Sequence, residues 1–233
     1  MSDPRLRPPR SMPTYAVRAP LARWLGEEAE RAGRELGAYR VLDVGCGEKP
    51  YAPLFAPFAA AYVGVDPVAN PHAELRGPVE ALPVEDASFE VVLCIQVLEH
   101  CDDPARAVAE LHRATAPGGR VLASTHGVMA YHPSPADYWR WTHAGLERLF
   151  RDNAGWASVR VTPASGTTAC LGMLASLYID LAARRARAGA LARPLVAAVN
   201  AAAEAVDRRS ATLSRPGPGT LFANYHVVAE KAG

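Results

Sequence analysis

The chain has 233 residues, which is enough for one α/β domain with a sizeable hydrophobic core. Its net charge is +1 with acidic and basic residues interspersed, which argues against broad nucleic-acid binding, and no run of about 18 apolar residues predicts a membrane span. Four scattered cysteines, with no Cys-x-x-Cys pair and no signal peptide ahead of them, predict a reduced, cytoplasmic protein.

The first part of the chain divides into an arm and a helix. Residues 1–13 contain four prolines with arginines between them, and such a segment buries too little apolar surface to order itself. We therefore predict a flexible arm over 1–13 and a single domain over 14–233. Tyr15 to Leu36 has apolar residues on one face and charges on the other, which predicts a helix that covers the core.

A short strand followed by a glycine turn is the most informative feature of the sequence. Val41 to Val44 read as a buried parallel strand that ends in Gly45-Cys46-Gly47. Such a turn lets a ligand lie against bare main chain, although ordinary tight turns also use this pattern. Position 50 is proline, so the third glycine of a dinucleotide fingerprint is missing. A second strand ends in Asp66, and this acid can hold a ribose diol, which fits a nucleoside without a pyrophosphate.

Several linked motifs follow in a fixed order, and together they are far more specific than one glycine turn. They resemble the class I S-adenosylmethionine-dependent methyltransferases, in the small-molecule branch with a type 11 methyltransferase domain. The resemblance is dense over residues 39–126. The segments that carry it are Val41 to Gly47, Tyr62 to Asp66, Val79 to Pro83, Asp86 to Glu90, Gln96 to His100, Asp103-Pro104, Glu110-Leu111 and Pro117 to Gly119.

This resemblance implies a doubly wound, seven-stranded, mostly parallel sheet of order 3-2-1-4-5-7-6 with the last strand antiparallel. It also implies S-adenosyl-L-methionine as the cofactor and a first helix near it, so that Tyr15 or Arg18 is placed to touch a ligand. Relatives usually carry an acid for the adenine amino group where Pro78 stands, and we expect Val79 and Glu80 to replace it. The expected cofactor-binding residues are Asp43, Gly45, Cys46, Gly47, Asp66, Pro67, Val79, Glu80 and Gln96.

The remaining elements continue the strand and helix alternation. Asp103 is the expected N-cap of a helix that ends at Ala116 to Gly119, and Thr142 is the expected N-cap of the next helix. Residues 167–207 predict a helical insertion with a break near Pro194. Its apolar stripe favours packing on the sheet or in a dimer over a substrate lid or a membrane-surface patch; the stripe consists of Leu171, Leu174, Tyr178 and Leu181.

The segment from His126 to Thr142 leaves the fifth strand at the edge where ligands bind in open parallel sheets. It resembles a His-Pro-x-Pro-x-Asp-Tyr-Trp-Arg segment of bacterial relatives linked to sugars and secondary metabolites. An alcohol acceptor needs a base near neutral pH, and histidine is the natural choice. We predict His132 as this base with Asp137 to orient it, while His100 and His126 stay open as alternatives. The aromatic residues are expected to stack on the acceptor or to join the core; they are Tyr131, Tyr138, Trp139 and Trp141.

These features predict an enzyme that methylates a small polar acceptor, such as a hydroxyl of a sugar, glycoside or natural product. N- or C-methylation of a similar metabolite is the nearest alternative, and a non-catalytic scaffold of the same fold is a second. We expect no metal site, because no pair of carboxylates with ligand spacing is evident. We expect no nucleic-acid partner, because the Asn/Asp-Pro-Pro-aromatic motif of base methyltransferases is absent, and we regard a homodimer as open.

Overall fold

The computed structural model describes residues 3–233, which form a seven-stranded sheet with helices on both faces. The strands are β1 (Tyr39–Val44), β2 (Ala59–Asp66), β3 (Leu75–Arg76), β4 (Phe89–Ile95), β5 (Thr115–His126), β6 (Trp156–Pro163) and β7 (Asn224–Lys231). The helices are α1 (Tyr15–Leu36), α2 (Ala52–Phe55), α3 (Pro104–Ala114), α4 (His143–Asn153), α5 (Thr167–Arg185) and α6 (Gly189–Arg209), with a short 3-10 turn at Thr212–Ser214.

The strand order is β3-β2-β1-β4-β5-β7-β6, and only β7 runs antiparallel to its two neighbours. This confirms the predicted fold. The central strands are buried on both faces, which is why β1 and β4 read as apolar runs without alternation. Because β1, β2, β4 and β5 run parallel, their carboxyl ends meet at one edge of the sheet, which is where ligands bind in this fold.

Successive residues of the central strands point to opposite cores. Val41 of β1 and Leu93 of β4 pack with α1 and α2 on one face, whereas Leu42 and Val92 pack with α3 and α4 on the other. The core under α1 and α2 includes the helix residues Leu21, Leu25 and Phe55. The core under α3 and α4 includes the helix residues Leu111, Leu146 and Phe150. Each such buried side chain contributes roughly 1.5–3 kcal/mol, so the two layers hold the strand ends in place.

The predicted N-caps are confirmed. The side chain of Asp103 accepts a hydrogen bond from the Arg106 amide, and Thr142 accepts one from the Gly145 amide. The predicted helix terminator at Ala116 to Gly119 is wrong, because β5 already begins at Thr115, directly after α3 ends. The side chain of Thr115 bonds to the Leu111 carbonyl and closes the helix at that point.

The N-terminal segment differs from the predicted flexible arm over 1–13. Residues 3–13 form turns, while residues 1 and 2 lie outside the described residues. The Asn200 amide of α6 donates to the main-chain carbonyls of Arg10 and Met12, and Leu6 packs against the core beside α1. These contacts supply the order that the composition of the segment alone does not predict.

The helical insertion is a hairpin of α5 and α6. The break lies at residues 186–188 and not near Pro194, which falls inside α6; Arg187 adopts a left-handed φ of 55° at this break. Asp207 near the end of α6 accepts the amides of Thr168 and Ala169, so it caps α5 from across the hairpin. The predicted apolar stripe is largely exposed, because Leu171 keeps 51% and Tyr178 67% of its surface accessible.

Within the described residues, every helix is too short or too polar to cross a lipid bilayer. The four cysteines are buried and free. Each belongs to a different part of the molecule: Cys46 to the glycine turn, Cys94 to β4, Cys101 to the loop after β4, and Cys170 to α5.

Candidate active site

The glycine turn after β1 is held against the end of β2. The amides of Gly45 and Cys46 both donate to the Val65 carbonyl, over 2.8 and 3.1 Å. Gly45 has a φ of 66°, and a Cβ at this position would lie 2.4 Å from Cγ2 of Val97. Both the backbone angle and the contact with the loop after β4 therefore require glycine here.

Two buried acids flank this turn. The Asp66 carboxylate accepts the Gly47 amide over 3.2 Å and the Asn70 side-chain amide over 3.1 Å, which ties the end of β2 to the turn. Asp43 accepts the Tyr62 hydroxyl over 2.7 Å inside the sheet, and its burial raises its pKa to about 7. The predicted positions of both acids at the strand ends are therefore observed.

A cavity of about 210 Å³ lies beyond the glycine turn. Four of the expected cofactor-binding residues line it: Gly45, Pro67, Val79 and Glu80. Pro78 also lines it, in place of the acid that relatives carry. The Glu80 carboxylate accepts the Asp102 amide over 2.8 Å, so this acid also holds the loop after β4 in place.

A second cavity, of about 360 Å³, lies on the other side of that loop. His100, His126 and His132 line it, together with Glu99 and Gln96. Gln96, expected at the cofactor, lines this cavity and bonds to Ser124 and Asn224. His100 lines both cavities, so the loop after β4, which carries this histidine, forms the wall between them.

The first helix and the hairpin close the second cavity. Arg18 of α1 lines it as expected, and Leu177 of α5 lies opposite. Tyr15 instead lines a wider cleft of about 420 Å³ between α1 and α6, which contains none of the predicted site residues.

The three histidines lie close together. The ring centroid of His132 is 5.1 Å from that of His100 and 5.7 Å from that of His126. Nδ1 of His100 is 2.8 Å from the Ala136 carbonyl and donates to it, so Nε2 is the nitrogen left free. Burial lowers the pKa of His100 and lowers that of His126 to about 3, so both rings are neutral at neutral pH and His126 is a weak base.

Glu99 is the site residue that the sequence analysis missed. Its side chain is fully buried, and it accepts the Thr125 hydroxyl over 2.8 Å. Its other oxygen is 3.3 Å from Nε2 of His126. Burial raises the pKa of Glu99 to about 7. The sequence contains the adjacent pair Glu99-His100, but only the fold shows that the side chain of Glu99 is buried beside the cavity.

The predicted pairing of His132 with Asp137 takes a different form. Both carboxylate oxygens of Asp137 bond to the Arg140 guanidinium, and one also accepts the main-chain amide of His132 over 3.1 Å. The Arg140 hydrogen bonds hold the pKa of Asp137 well below its usual range. Asp137 thus orients the backbone of the loop that carries His132, and no hydrogen bond joins it to the His132 ring in the described structure.

The aromatic residues of this segment have separate roles. Tyr131 lines the second cavity and is 73% exposed. Trp139 stacks on Trp141 and donates its indole N–H to the Cys101 carbonyl over 2.9 Å. Trp141 packs against the core, as the alternative interpretation held, whereas Tyr138 is 57% exposed. Tyr131 is therefore the aromatic residue best placed to contact an acceptor.

Comparison with known families gives a match to the model described as "Methyltransferase domain" over residues 10–156. A protein of Mycolicibacterium smegmatis named "Probable S-adenosylmethionine-dependent methyltransferase" is 38% identical over 112 residues, which are 44% of this chain and 42% of that protein. The ubiquinone biosynthesis O-methyltransferase of Azotobacter vinelandii is 32% identical over 128 residues, which are 48% of this chain and 53% of that protein. The chain thus spans about half the length of the curated relatives it matches.

Among solved structures, the chain is similar in fold to phosphoethanolamine N-methyltransferase 2 of Haemonchus contortus, crystallised with S-adenosyl-L-methionine. The TM-score is 0.52 at 16% identity, and the match covers 89% of this chain and 53% of that one.

Proposed function

The chain belongs to the methyltransferase-domain family of class I S-adenosylmethionine-dependent enzymes, and on this premise we propose that it transfers a methyl group to a small polar acceptor. The proposed acceptor group is a hydroxyl of a sugar, glycoside or related natural product. One observation carries the proposal: a cavity at the glycine turn and a histidine-lined cavity share His100 as a wall. A donor in the first and an acceptor in the second would meet at that histidine.

The residues at the first cavity suit the nucleoside part of the cofactor. Asp66 is buried at the end of β2, where its carboxylate oxygens retain acceptor capacity for the ribose hydroxyls. Gly45 and Gly47 keep the turn free of side chains, so that the cofactor approaches the main chain. Cys46 lies between these glycines and Asp43 lies in β1 ahead of them; like Asp66, they adjoin residues that line the cavity. Val79 and Glu80 line the side proposed for the adenine ring.

Methyl transfer is an in-line displacement in which the acceptor oxygen attacks the methyl carbon and the sulfur–carbon bond breaks. The cofactor supplies the driving force, so the protein aligns the two reactants and excludes water. The proton of the hydroxyl must leave, and His132 is the proposed acceptor of that proton. Asp137 and Arg140 support this role by holding the His132 loop over the cavity.

The relatives leave the reacting atom open. The curated match from Azotobacter vinelandii is named as an O-methyltransferase, whereas the solved structure from Haemonchus contortus is named as an N-methyltransferase. The histidine lining of the second cavity favours a hydroxyl, because a hydroxyl needs a base whereas a neutral amine attacks without one. N- or C-methylation and a non-catalytic scaffold remain the alternative proposals.

Two further features belong to the proposal. Four free, buried cysteines support a reducing, cytoplasmic compartment. The exposed apolar residues of the α5–α6 hairpin support a homodimer as a possible assembly; they include Leu171, Tyr178, Leu181, Leu191 and Leu195.

The test is a screen of the full chain with methyl-labelled S-adenosylmethionine against sugars, glycosides, phenols and amines, including metabolites from its gene neighbourhood. Label on a hydroxyl supports the proposal. Label on nitrogen or carbon alone supports the nearest alternative, and tight cofactor binding without any transfer supports the scaffold.

On the active acceptor, His132→Ala should lower kcat by about 10²–10⁴ while the cofactor affinity stays unchanged. His72→Ala is the matched control, because His72 is exposed and lies outside both cavities. A normal kcat in His132→Ala would show that His132 is not the base. Either His100 or His126 would then accept the hydroxyl proton, or alignment of the reactants alone would account for the rate enhancement.

A further inference from the structure

Two histidines of the histidine-lined cavity and one acid beside it carry the donor atoms of a metal site. His100, His132 and Asp137 each offer one such atom, and these atoms lie within 4.8 Å of one another. Two imidazoles and a carboxylate are a common ligand set for zinc and for other divalent transition ions. No metal was expected from the sequence, because no pair of carboxylates with ligand spacing is evident in it.

The arrangement of the rings fits this chemistry. Imidazoles bound through nitrogen at ~2.1 Å to a tetrahedral ion have their nitrogens ~3.4 Å and their ring centroids ~5 Å apart. The centroids of His100 and His132 are 5.1 Å apart. The donor atoms, which lie within 4.8 Å of one another, would approach to ~3.4 Å when they bind such an ion.

The surrounding groups provide the outer contacts that a metal site needs. His100 donates its Nδ1 proton to the Ala136 carbonyl, which orients the ring and leaves Nε2 to bind an ion. Arg140 donates to both carboxylate oxygens of Asp137, and one of them also accepts the His132 amide, so an ion would bind a remaining lone pair of this carboxylate.

A second observation points to a ligand in this cavity. Nδ1 of His126 is buried without a hydrogen-bond partner, and Oε1 of Glu99 makes no hydrogen bond beyond its 3.3 Å contact with Nε2 of His126; both residues line the cavity. His126 is 5% and Glu99 0% exposed. Buried polar atoms are rarely left unpaired in proteins, so a polar occupant of the cavity is expected to satisfy them.

We propose that His100, His132 and Asp137 bind a divalent transition-metal ion of the zinc class, whose open positions take the oxygen of the acceptor. This inference rests on the proposed function and changes one part of it. With the ion bound, His132 is a ligand, and the ion would lower the pKa of the bound hydroxyl, whose proton leaves to water. The oxygen then attacks the methyl carbon as the sulfur–carbon bond breaks.

The test begins with the metal-stripped full chain, titrated with Zn²⁺ by calorimetry and with Co²⁺ by its visible absorption. One equivalent should bind. The dissociation constant should rise at least tenfold in His100→Ala, His132→Ala and Asp137→Asn, and should stay unchanged in His72→Ala. Absence of binding, or binding equally tight in the three variants, would overturn the proposal.

Cofactor titration controls for folding in His132→Ala and Asp137→Asn, because neither residue lines the cofactor cavity. His100 lines both cavities, so thermal unfolding controls for folding in His100→Ala. If His132→Ala fails to bind the cofactor, His132→Gln takes its place. Activity separates the two proposals: transfer that disappears with a chelator and returns with Zn²⁺ or Co²⁺ supports the metal site. Transfer that persists without metal overturns the metal's role and leaves the proposed function intact.

Discussion

The carboxylate of Asp66 is a single side chain on which the cofactor assignment can be tested. It is buried between the glycine turn and Asn70, and a bound ribose would add hydrogen bonds to a charged acceptor. We expect Asp66→Ala to weaken S-adenosylmethionine binding by about 1–3 kcal/mol. Calorimetric titration measures this, with Asp152→Ala, at an exposed helix pair, as the control. Equal affinity in Asp66→Ala and the wild type would remove Asp66 from the site.

Asp43 should make the stability of the protein depend on pH. Burial raises its pKa to about 7 in the folded state, so between about pH 4 and pH 7 the folded chain keeps a proton that the unfolded chain loses. The free energy of unfolding should therefore fall as pH rises through this range, by at most about 1.4 kcal/mol per pH unit, and then level off above pH 7.

Urea unfolding of Asp43→Asn at several pH values checks this. The variant keeps an acceptor for the Tyr62 hydroxyl and should show a flatter pH dependence than the wild type. Asp152→Asn should leave the dependence unchanged. A slope that is the same in Asp43→Asn would assign it to other groups, of which buried Glu99 is the first candidate.

Residues of the site differ in how far the sequence predicts them. Gly45 and Asp66 follow from local chemistry, since a turn and a strand end need those residue types. The partner of Asp137 does not follow, because His132 five residues earlier and Arg140 three residues later are both near it in sequence. Burial of Glu99 depends on β5 and on the loop that returns over it, so tertiary structure decides its role.

At the scale of the elements, the α5–α6 hairpin depends on one contact across it. Asp207 of α6 accepts the amides of Thr168 and Ala169 and so caps α5 from outside that helix. Asp207→Ala should cost about 1–2 kcal/mol of unfolding free energy, as loss of an N-cap does. Asp180→Ala, which removes an exposed pair with Arg184, should cost at most about 0.5 kcal/mol. Equal costs in urea unfolding would contradict the capping role.

The elements of this region also show where sequence patterns fail. Apolar residues at helical spacing predict helices correctly, but the pattern does not say what covers them. Leu171 and Tyr178 keep the expected spacing and yet face outward, because α5 packs with other side chains on α6 and α1. Pro194 was the natural place for a break, because proline removes a helical hydrogen bond, but α6 continues through it and the chain turns at Arg187 instead.

For the whole molecule, cofactor binding should appear as thermal stabilisation. A ligand at 100 times its dissociation constant stabilises the folded state by ~2.7 kcal/mol, which for a chain of this size raises Tm by roughly 5–10 °C. Gly45→Val should abolish this shift, because its side chain would collide with Val97 and fill the turn. Differential scanning calorimetry with and without S-adenosylmethionine is the measurement. A full shift in Gly45→Val would show that the cofactor binds elsewhere.

The overall topology was predictable only in part from physical patterns. Alternating strands and helices predict a doubly wound sheet, since parallel neighbours need crossover helices. The strand order and the reversed β7 rested on the family resemblance, because nothing in the residues 224–231 sets their direction. The register of β7 between β5 and β6 emerges from long-range pairing.

The four buried cysteines can be used to measure how often each region of the protein opens locally. A thiol reagent reaches such a sulfur only when the surrounding segment transiently unfolds, so each labelling rate measures the opening of one region. Cys46 and Cys101 adjoin the cofactor cavity, whereas Cys170 belongs to the hairpin. The cofactor should therefore slow the modification of the first two and leave Cys170 unaffected, which mass spectrometry of labelled peptides would resolve site by site.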